Sequence, residues 1–195
     1  MTDFALLGEA LVIDLLNTRP TTPDGRADLI ATPAGLHAWL TAESPRLPLI
    51  ARPTAADVAA IHAVRDQAER ALTQVRSGRL PARADLRGLN EAMRAAPACR
   101  VLTSPAGPGS STARQGAIGL STERKGPPGV IVAAILAEDA AEFLSGPSAA
   151  AVRACAAEDC TLLFVPAHPR RQWCSAARCG NRARVARYYR RHRDD

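Results

Sequence analysis

Apolar residues recur along this chain at helical spacing, in stretches separated by proline and glycine. The longest stripe sets Val58, Ile61, Val64, Ala68, Ala71, Leu72 and Val75 on one face of a helix. Thr54-Ala-Ala-Asp57 ahead of it resembles a capping box with Asp in the third position. Gly78 behind it is a natural stop, so one long helix is predicted to run to about Ser77. A second helix over roughly 82–95 places Leu86, Leu89 and Met93 on one face. The apolar stretch 128–145 predicts a third, ending before Gly146-Pro147. Thr32-Pro33, a cap followed by a first-turn proline, starts a short helix with Leu36, Trp39 and Leu40 on one side. Residues 9–18, EALVIDLLNT, read as helix or strand, with helix preferred. Residues 20–27 form a loop by turn chemistry, and 44–53 are a connector with Pro45, Pro48 and Pro53. Residues 99–104 and 115–122 predict two short strands. The Pro/Gly/Ser-rich stretch 105–112 between them makes a hairpin with a long tip. Helices, a hairpin, a helix and a small cysteine-rich end make an α+β chain, mainly helical over 1–147 with a small module over 148–195.

Length and composition allow a sizeable core: 195 residues, 47% of them hydrophobic, exclude wholesale disorder. Aromatics are only 4%, so the core must be built from Leu, Val, Ile and Ala. The start has acids and no basic leader pattern. The longest apolar run, Val130 to Ala137, is eight residues, far short of the ~20 a membrane helix needs. The expectation is a soluble cytoplasmic protein with no membrane partner. In a reducing cytosol, clustered cysteines favour metal over disulfides.

Charge adds an asymmetry. The net charge of +6 divides into +7 on residues 161–195, with nine Arg against Asp194 and Asp195, and −1 on residues 1–160, with 16 basic and 17 acidic groups. Because 24 of the 25 basic residues are Arg, arginine richness alone reflects coding bias. Arginine clustered without acids is the better sign of a polyanion partner.

Four of the five cysteines fall in that basic end: Cys155, Cys160, Cys174 and Cys179, spaced C-x4-C-x13-C-x4-C. Two close pairs joined by a short excursion suit one structural zinc ion held by four thiolates, each pair supplying two ligands from one local turn. Four free thiols or a disulfide pair are the alternatives, but they leave the order of an Ala- and Arg-rich segment unexplained. Leu162-Leu163-Phe164-Val165 would form a strand or knuckle between the pairs, and Pro166 to Arg171 would turn the chain back. A closed site of four sulfurs has no open position for substrate, so its role is structural. His168 reads as a loop histidine, and Cys99 as a buried free thiol.

After Cys179 the chain reads GNRARVARYYRRHR. A helix is expected from near Ser175, a candidate N-cap, to about His192. Gly180 inside it is unfavourable by ~1 kcal/mol, which points to close backbone approach beside the metal or a break with Asn181 as the cap. Val185 and Tyr189, four apart, would pack on the module. Candidate nucleic-acid contacts are Arg170, Arg171, Arg178, Asn181, Arg182, Arg184, Arg187, Tyr188, Arg190 and Arg191. The alternative is a solvated basic helix end.

Cys179-Gly180-Asn181-Arg182 spells CGNR, and the end as a whole resembles the CGNR zinc finger. The match runs from RACAAEDC through LLFV to RRQWCSAARCGNRARVARYYRR. The first part resembles the ABATE domain, through GEALVIDLLNTR, GLHAWL and IHAVRDQAERAL. The resemblance implies a bacterial transcriptional regulator, often described as stress-induced, with the finger as its DNA-binding part. It also implies the four cysteines as ligands and Trp173 as a packing brace for the second pair. Between Phe164 and Arg170 this chain has VPAHP, where the family commonly carries an Asp and a Ser with a longer basic loop. A contact made by those polar groups is then absent.

The leading expectation is a non-enzymatic regulator that binds double-stranded DNA. Its N-terminal domain would sense a ligand not identified by sequence, form a homodimer, or both. Asp14, Asn17 and Arg19 at the edge of an apolar segment could line a pocket or cap a helix. RNA binding and a protein-interaction module are the alternatives, since a basic helix does not by itself choose DNA over RNA. Enzymatic activity is not expected, because the body offers only His37 and His62, with no nucleophile motif and no phosphate-binding loop.

Overall fold

Thr54 and Asp57 form the reciprocal capping box that the sequence predicts. The Thr54 hydroxyl accepts from the Asp57 N–H at 3.3 Å, and Asp57 Oδ2 accepts from the Thr54 N–H at 2.7 Å. In this computed structural model, which describes residues 4–22, 25–103 and 118–192, the box opens α3, Ala55–Arg76. Gly78 closes it with φ of +71°, the left-handed geometry that glycine accepts most readily. Before α3 come α1 (Leu11–Leu16), the minimal strands β1 (Thr21–Thr22) and β2 (Gly25–Arg26), and α2 (Pro33–Ala42), which Thr32 caps as expected. After it come α4 (Arg83–Ala95), β3 (Cys99–Thr103), β4 (Gly119–Glu123) and α5 (Pro128–Ser145). The cysteine-rich end adds α6 (Ser148–Ala151), β5 (Arg153–Ala154), β6 (Leu163–Phe164), a wide turn at Ala176–Gly180 and α7 (Asn181–Arg191).

The α+β class holds: helices dominate, and the strands pair antiparallel as β1–β2, β3–β4 and β5–β6. α3, α4 and α5 pack on one another, with Ile61, Val64, Ala68 and Leu72 meeting Val132, Leu136 and Ala140 in one apolar core. All six residues of α1 are buried against this group, which explains why the segment lacks a polar face and is ambiguous by periodicity. α5 has no side-chain cap of its own. Asp57 serves it from α3, accepting from the Gly129 N–H at 3.0 Å. A Cβ at Gly129 would stand 2.2 Å from that carboxylate and 2.7 Å from the Asp57 Cα, so this junction of two helix starts requires glycine.

Three expectations change. The strand placed at 115–122 is found as β4, Gly119–Glu123, in register Cys99↔Glu123 to Thr103↔Gly119. Residues 104–117, with the tip, lie outside the described residues. Cys99 is exposed rather than buried: β3 and β4 make a two-stranded ribbon, and among the described residues no further strand pairs with it. The loop 20–27 carries the β1–β2 pair; residues 23–24 lie outside the described residues. Among the described residues, no helix is long and apolar enough to cross a membrane.

Charge fastens this loop to α3. Arg65 is fully buried and donates to Asp28 Oδ1 and to the Thr18 hydroxyl, both at 2.8 Å. His62 is held by the Ile30 carbonyl at 3.0 Å, and His37 by the Ile50 carbonyl at 3.0 Å. Burial by itself would raise the Asp28 carboxyl. The hydrogen bond and charge of Arg65 outweigh it and leave the group below its ordinary value. Asp28 therefore contributes stability above the ordinary carboxylate pKa, and that contribution disappears as pH falls through the depressed value. Asp28→Asn should cost about 3 kcal/mol at pH 7, since it leaves Arg65 buried without a counter-charge. In urea titrations the gap to wild type should close as pH falls below the carboxylate range; a gap independent of pH would refute the ion-pair account.

Candidate metal centre

Each cysteine pair sits on a local device. β5 and β6 pair Arg153↔Phe164 and Ala154↔Leu163, and the Cys155 N–H donates to the Leu162 carbonyl at 2.9 Å. Cys155 and Cys160 thus flank the loop of a short hairpin, which the Cys160 N–H tightens with a 3.0 Å bond to the Ala157 carbonyl. The second pair is brought alongside by the Ala156 N–H, 2.9 Å from the Gln172 carbonyl, and by the Cys174 N–H, 3.4 Å from Cys155 Sγ. Ser175 caps the following turn, accepting from the Arg178 N–H at 3.4 Å. That turn is wider than an α-helical one: the Gly180 N–H reaches the Ser175 carbonyl five residues back at 3.0 Å. Cys179 points inward from it and is buried.

The four Sγ atoms lie within 4.8 Å of one another, with Cys160–Cys174 at 3.8 Å and Cys174–Cys179 at 3.6 Å. A tetrahedron with metal–sulfur bonds of about 2.3 Å has edges of about 3.8 Å, so the donor set fits a four-thiolate metal site. All five cysteines of the chain are free thiols. Burial, joined by the neighbouring sulfurs, pushes the Cys160 thiol up to about 11 and Cys174 higher still. Cys155 is lowered, because N–H donors from Cys174 and Ala157 outweigh its burial. Sulfurs this close resist losing their protons together, and a cation among them removes that resistance.

Leu162 and Phe164 are buried with the cysteines, and Trp173 packs against them, as expected of the brace. The role read for Gly180 is corrected. Its φ is −64°, and a Cβ there would meet the Ser175 carbonyl at 3.5 Å and the Trp173 ring at 3.8 Å, which is ordinary contact. No break with an Asn181 cap occurs either, because the wide turn runs straight into α7. His168 stands exposed outside the cluster, its Nδ1 accepting from the Arg170 N–H at 3.2 Å.

Two family models match the chain. One, ABATE, described as "Putative stress-induced transcription regulator", matches residues 9–147; the other, the CGNR zinc finger, matches 151–192. The chain belongs to the ABATE family. No curated protein matches it.

The ABATE segment and the CGNR finger are joined by specific polar contacts. The Asn17 side chain, buried at the end of α1, donates to the Leu163 carbonyl at 3.0 Å and accepts from the Leu163 N–H at 2.8 Å. It thus completes the outer edge of β6 as a neighbouring strand would. The Thr21 N–H donates to the Thr161 hydroxyl at 2.9 Å, and Arg76 Nε to the Val152 carbonyl at 3.0 Å. Asp14, read beside Asn17 from sequence, is fully buried against Arg46, and burial pushes its carboxyl up against the pull of that guanidinium. Arg19 pairs with Asp66 at 2.6 Å and Glu69 at 3.2 Å. Asn17 and Arg19 border a cavity of about 280 Å³, but Asp14 does not.

The basic residues fall into different surroundings. Arg170, Arg178, Asn181, Arg182, Arg184 and Tyr188 are exposed. Arg184 Nη1 donates to Asn181 Oδ1 at 3.2 Å, and the Tyr188 ring stacks on His192 at 4.2 Å. The side chains of Arg187, Arg190 and Arg191 lie outside the described residues. Val185 and Tyr189 are 49% and 66% exposed, so the expected packing on the module does not occur; Leu162, Phe164 and Trp173 already fill it. Arg171 is half-buried and turned inward.

Asn17→Ala strips both partners from Leu163 and should cost about 2 kcal/mol. Amide hydrogen exchange at Leu163 should accelerate in the same variant. Unchanged exchange there would remove Asn17 as the joint between the two segments.

Proposed function

We propose that this protein is a cytoplasmic transcriptional regulator whose finger holds one structural zinc ion and binds double-stranded DNA through α7. The observation that carries the reading is the continuity of the four-sulfur cluster with a basic helix. Cys179 leads directly into Asn181–Arg191, and no acid occurs from residue 161 to 193. Four soft sulfur donors at tetrahedral spacing suit zinc. Cys155, Cys160, Cys174 and Cys179 would hold it, and bound zinc would supply the order that this polar segment lacks in apolar packing. The exposed arginines, Arg184 among them, then meet phosphate. In this reading the N-terminal segment carries the regulatory input, a bound effector or a second copy, and passes it to the finger through Asn17. Catalysis has no part in it: a closed four-thiolate site has no open coordination position, and His37 and His62 are engaged with backbone carbonyls.

The test uses the full chain, because the finger is bonded to the N-terminal segment at several points. Metal analysis should find about one zinc per chain, and Cys174→Ser should lose both zinc and DNA binding. Affinity for duplex DNA should fall linearly on a log–log salt plot. Arg184→Ala should weaken binding and reduce the slope by about 0.9, if it neutralises one phosphate. Binding that is insensitive to salt in the zinc-loaded protein would defeat the proposal, and preference for single-stranded RNA would replace it with the RNA reading.

A further inference from the structure

The arginines of the basic end do not share one environment. Arg171 spends its guanidinium on the backbone of the module. Nε donates to the Trp173 carbonyl at 3.0 Å, Nη1 to the Val165 carbonyl at 3.3 Å, and Nη2 to the Cys174 carbonyl. The plane lies over the Phe164 ring, 4.6 Å from its centre, and Nη1 is 3.7 Å from the Glu9 carboxylate of the N-terminal segment. Arg182 lies on the other side. Its Nη2 donates to Cys179 Sγ at 3.8 Å, while Nη1 is 3.8 Å from Asp159.

These contacts have distinct physical consequences. Val165 and Trp173-Cys174 lie on either side of the 166–171 turn, within the stretch that joins the cysteine pairs. A planar fork with five donors can span their carbonyls at once, whereas a compact ammonium cannot. Arg171 thereby fixes the backbone from which Cys174 presents its sulfur. Four thiolates around a divalent cation carry a net charge of −2, and a cleft of about 470 Å³ opens beside Cys160, Cys174 and Cys179. Arg182 borders that cleft. A charge-assisted N–H to a ligating sulfur offsets part of the negative charge and stabilises the thiolate.

We infer that Arg171 and Arg182 are positioning residues of the metal centre: Arg171 braces the Cys174 loop, and Arg182 balances the charge on the Cys179 sulfur. The inference rests on metal binding at the four sulfurs and not on DNA binding, so its test contains no DNA. Full-length wild type, Arg171→Ala, Arg171→Lys, Arg182→Ala, Arg182→Lys and Arg184→Ala are loaded with Co²⁺. Co²⁺ and then Zn²⁺ dissociation constants are measured against a competing chelator, together with the cobalt–thiolate absorption band. Outer partners of metal ligands typically hold 10- to 100-fold in affinity. Arg171→Ala should lose that much, and Arg171→Lys should recover little of it. Arg182→Ala should weaken binding about tenfold and shift the absorption band, and Arg182→Lys, which keeps the charge, should recover most of both. Arg184→Ala should match wild type. The helical circular dichroism of α3 to α5 reports whether each variant is folded; should Arg171→Ala fail that check, Arg171→Lys decides for this position. Wild-type affinity and an unshifted band in the Arg171 and Arg182 variants would overturn the inference, as would an equal loss in Arg184→Ala.

Discussion

Four sulfurs within 4.8 Å of one another organise a segment that has almost nothing else to fold around. Among the described residues, its own small cluster buries Leu162 and Phe164 beside the cysteines, Val152 packs into the N-terminal core, and its remaining length is largely Ala, Arg and polar residues. Such a segment does not recover the entropy of ordering from apolar burial alone. Everything at this end follows from bringing the sulfurs together. The β5–β6 hairpin presents one pair, the Ser175-capped wide turn presents the other, and α7 takes its direction from the Cys179 turn.

The N-terminal segment has the opposite economy. Its helices bury a continuous core of Leu, Val, Ile and Ala, and charge is used where apolar packing stops. Arg65 with Asp28 ties the loop after α1 onto α3, and Asp57 serves two helix starts at once. α1 stands between the two regimes. Its body is part of the core, while the residue that ends it, Asn17, bonds both backbone groups of Leu163 in the finger. α1 and β6 are therefore in direct contact through Asn17.

The charge asymmetry also acquires internal structure. The +7 on residues 161–195 is not a uniform coat. Arg171 lies inward over Phe164 among backbone carbonyls, and Arg182 leans on a cysteine sulfur. Arg170, Arg178 and Arg184 are on the exposed surface. Beside the cysteine cluster, Arg171 bonds backbone carbonyls and Arg182 a sulfur. On α7, Arg184 is exposed and donates to Asn181.

Periodicity and caps placed α2, α3, α4 and α5 to within a few residues, because those signals are local: apolar positions three and four apart, a Thr with Asp three residues on, a Gly at the stop. The C-x4-C-x13-C-x4-C spacing located the four sulfurs for the same reason, since each pair needs only its own turn. Other features depend on partners far away in sequence and left no local trace. Asn17 meets a strand 146 residues away, Gly129 is required by a carboxylate on another helix, and Cys99 is exposed on a two-stranded ribbon. Arg171 and Arg184 are indistinguishable as letters. Tertiary structure alone decided that one faces three carbonyls and the other the solvent, because a long side chain takes its direction from what surrounds it in space.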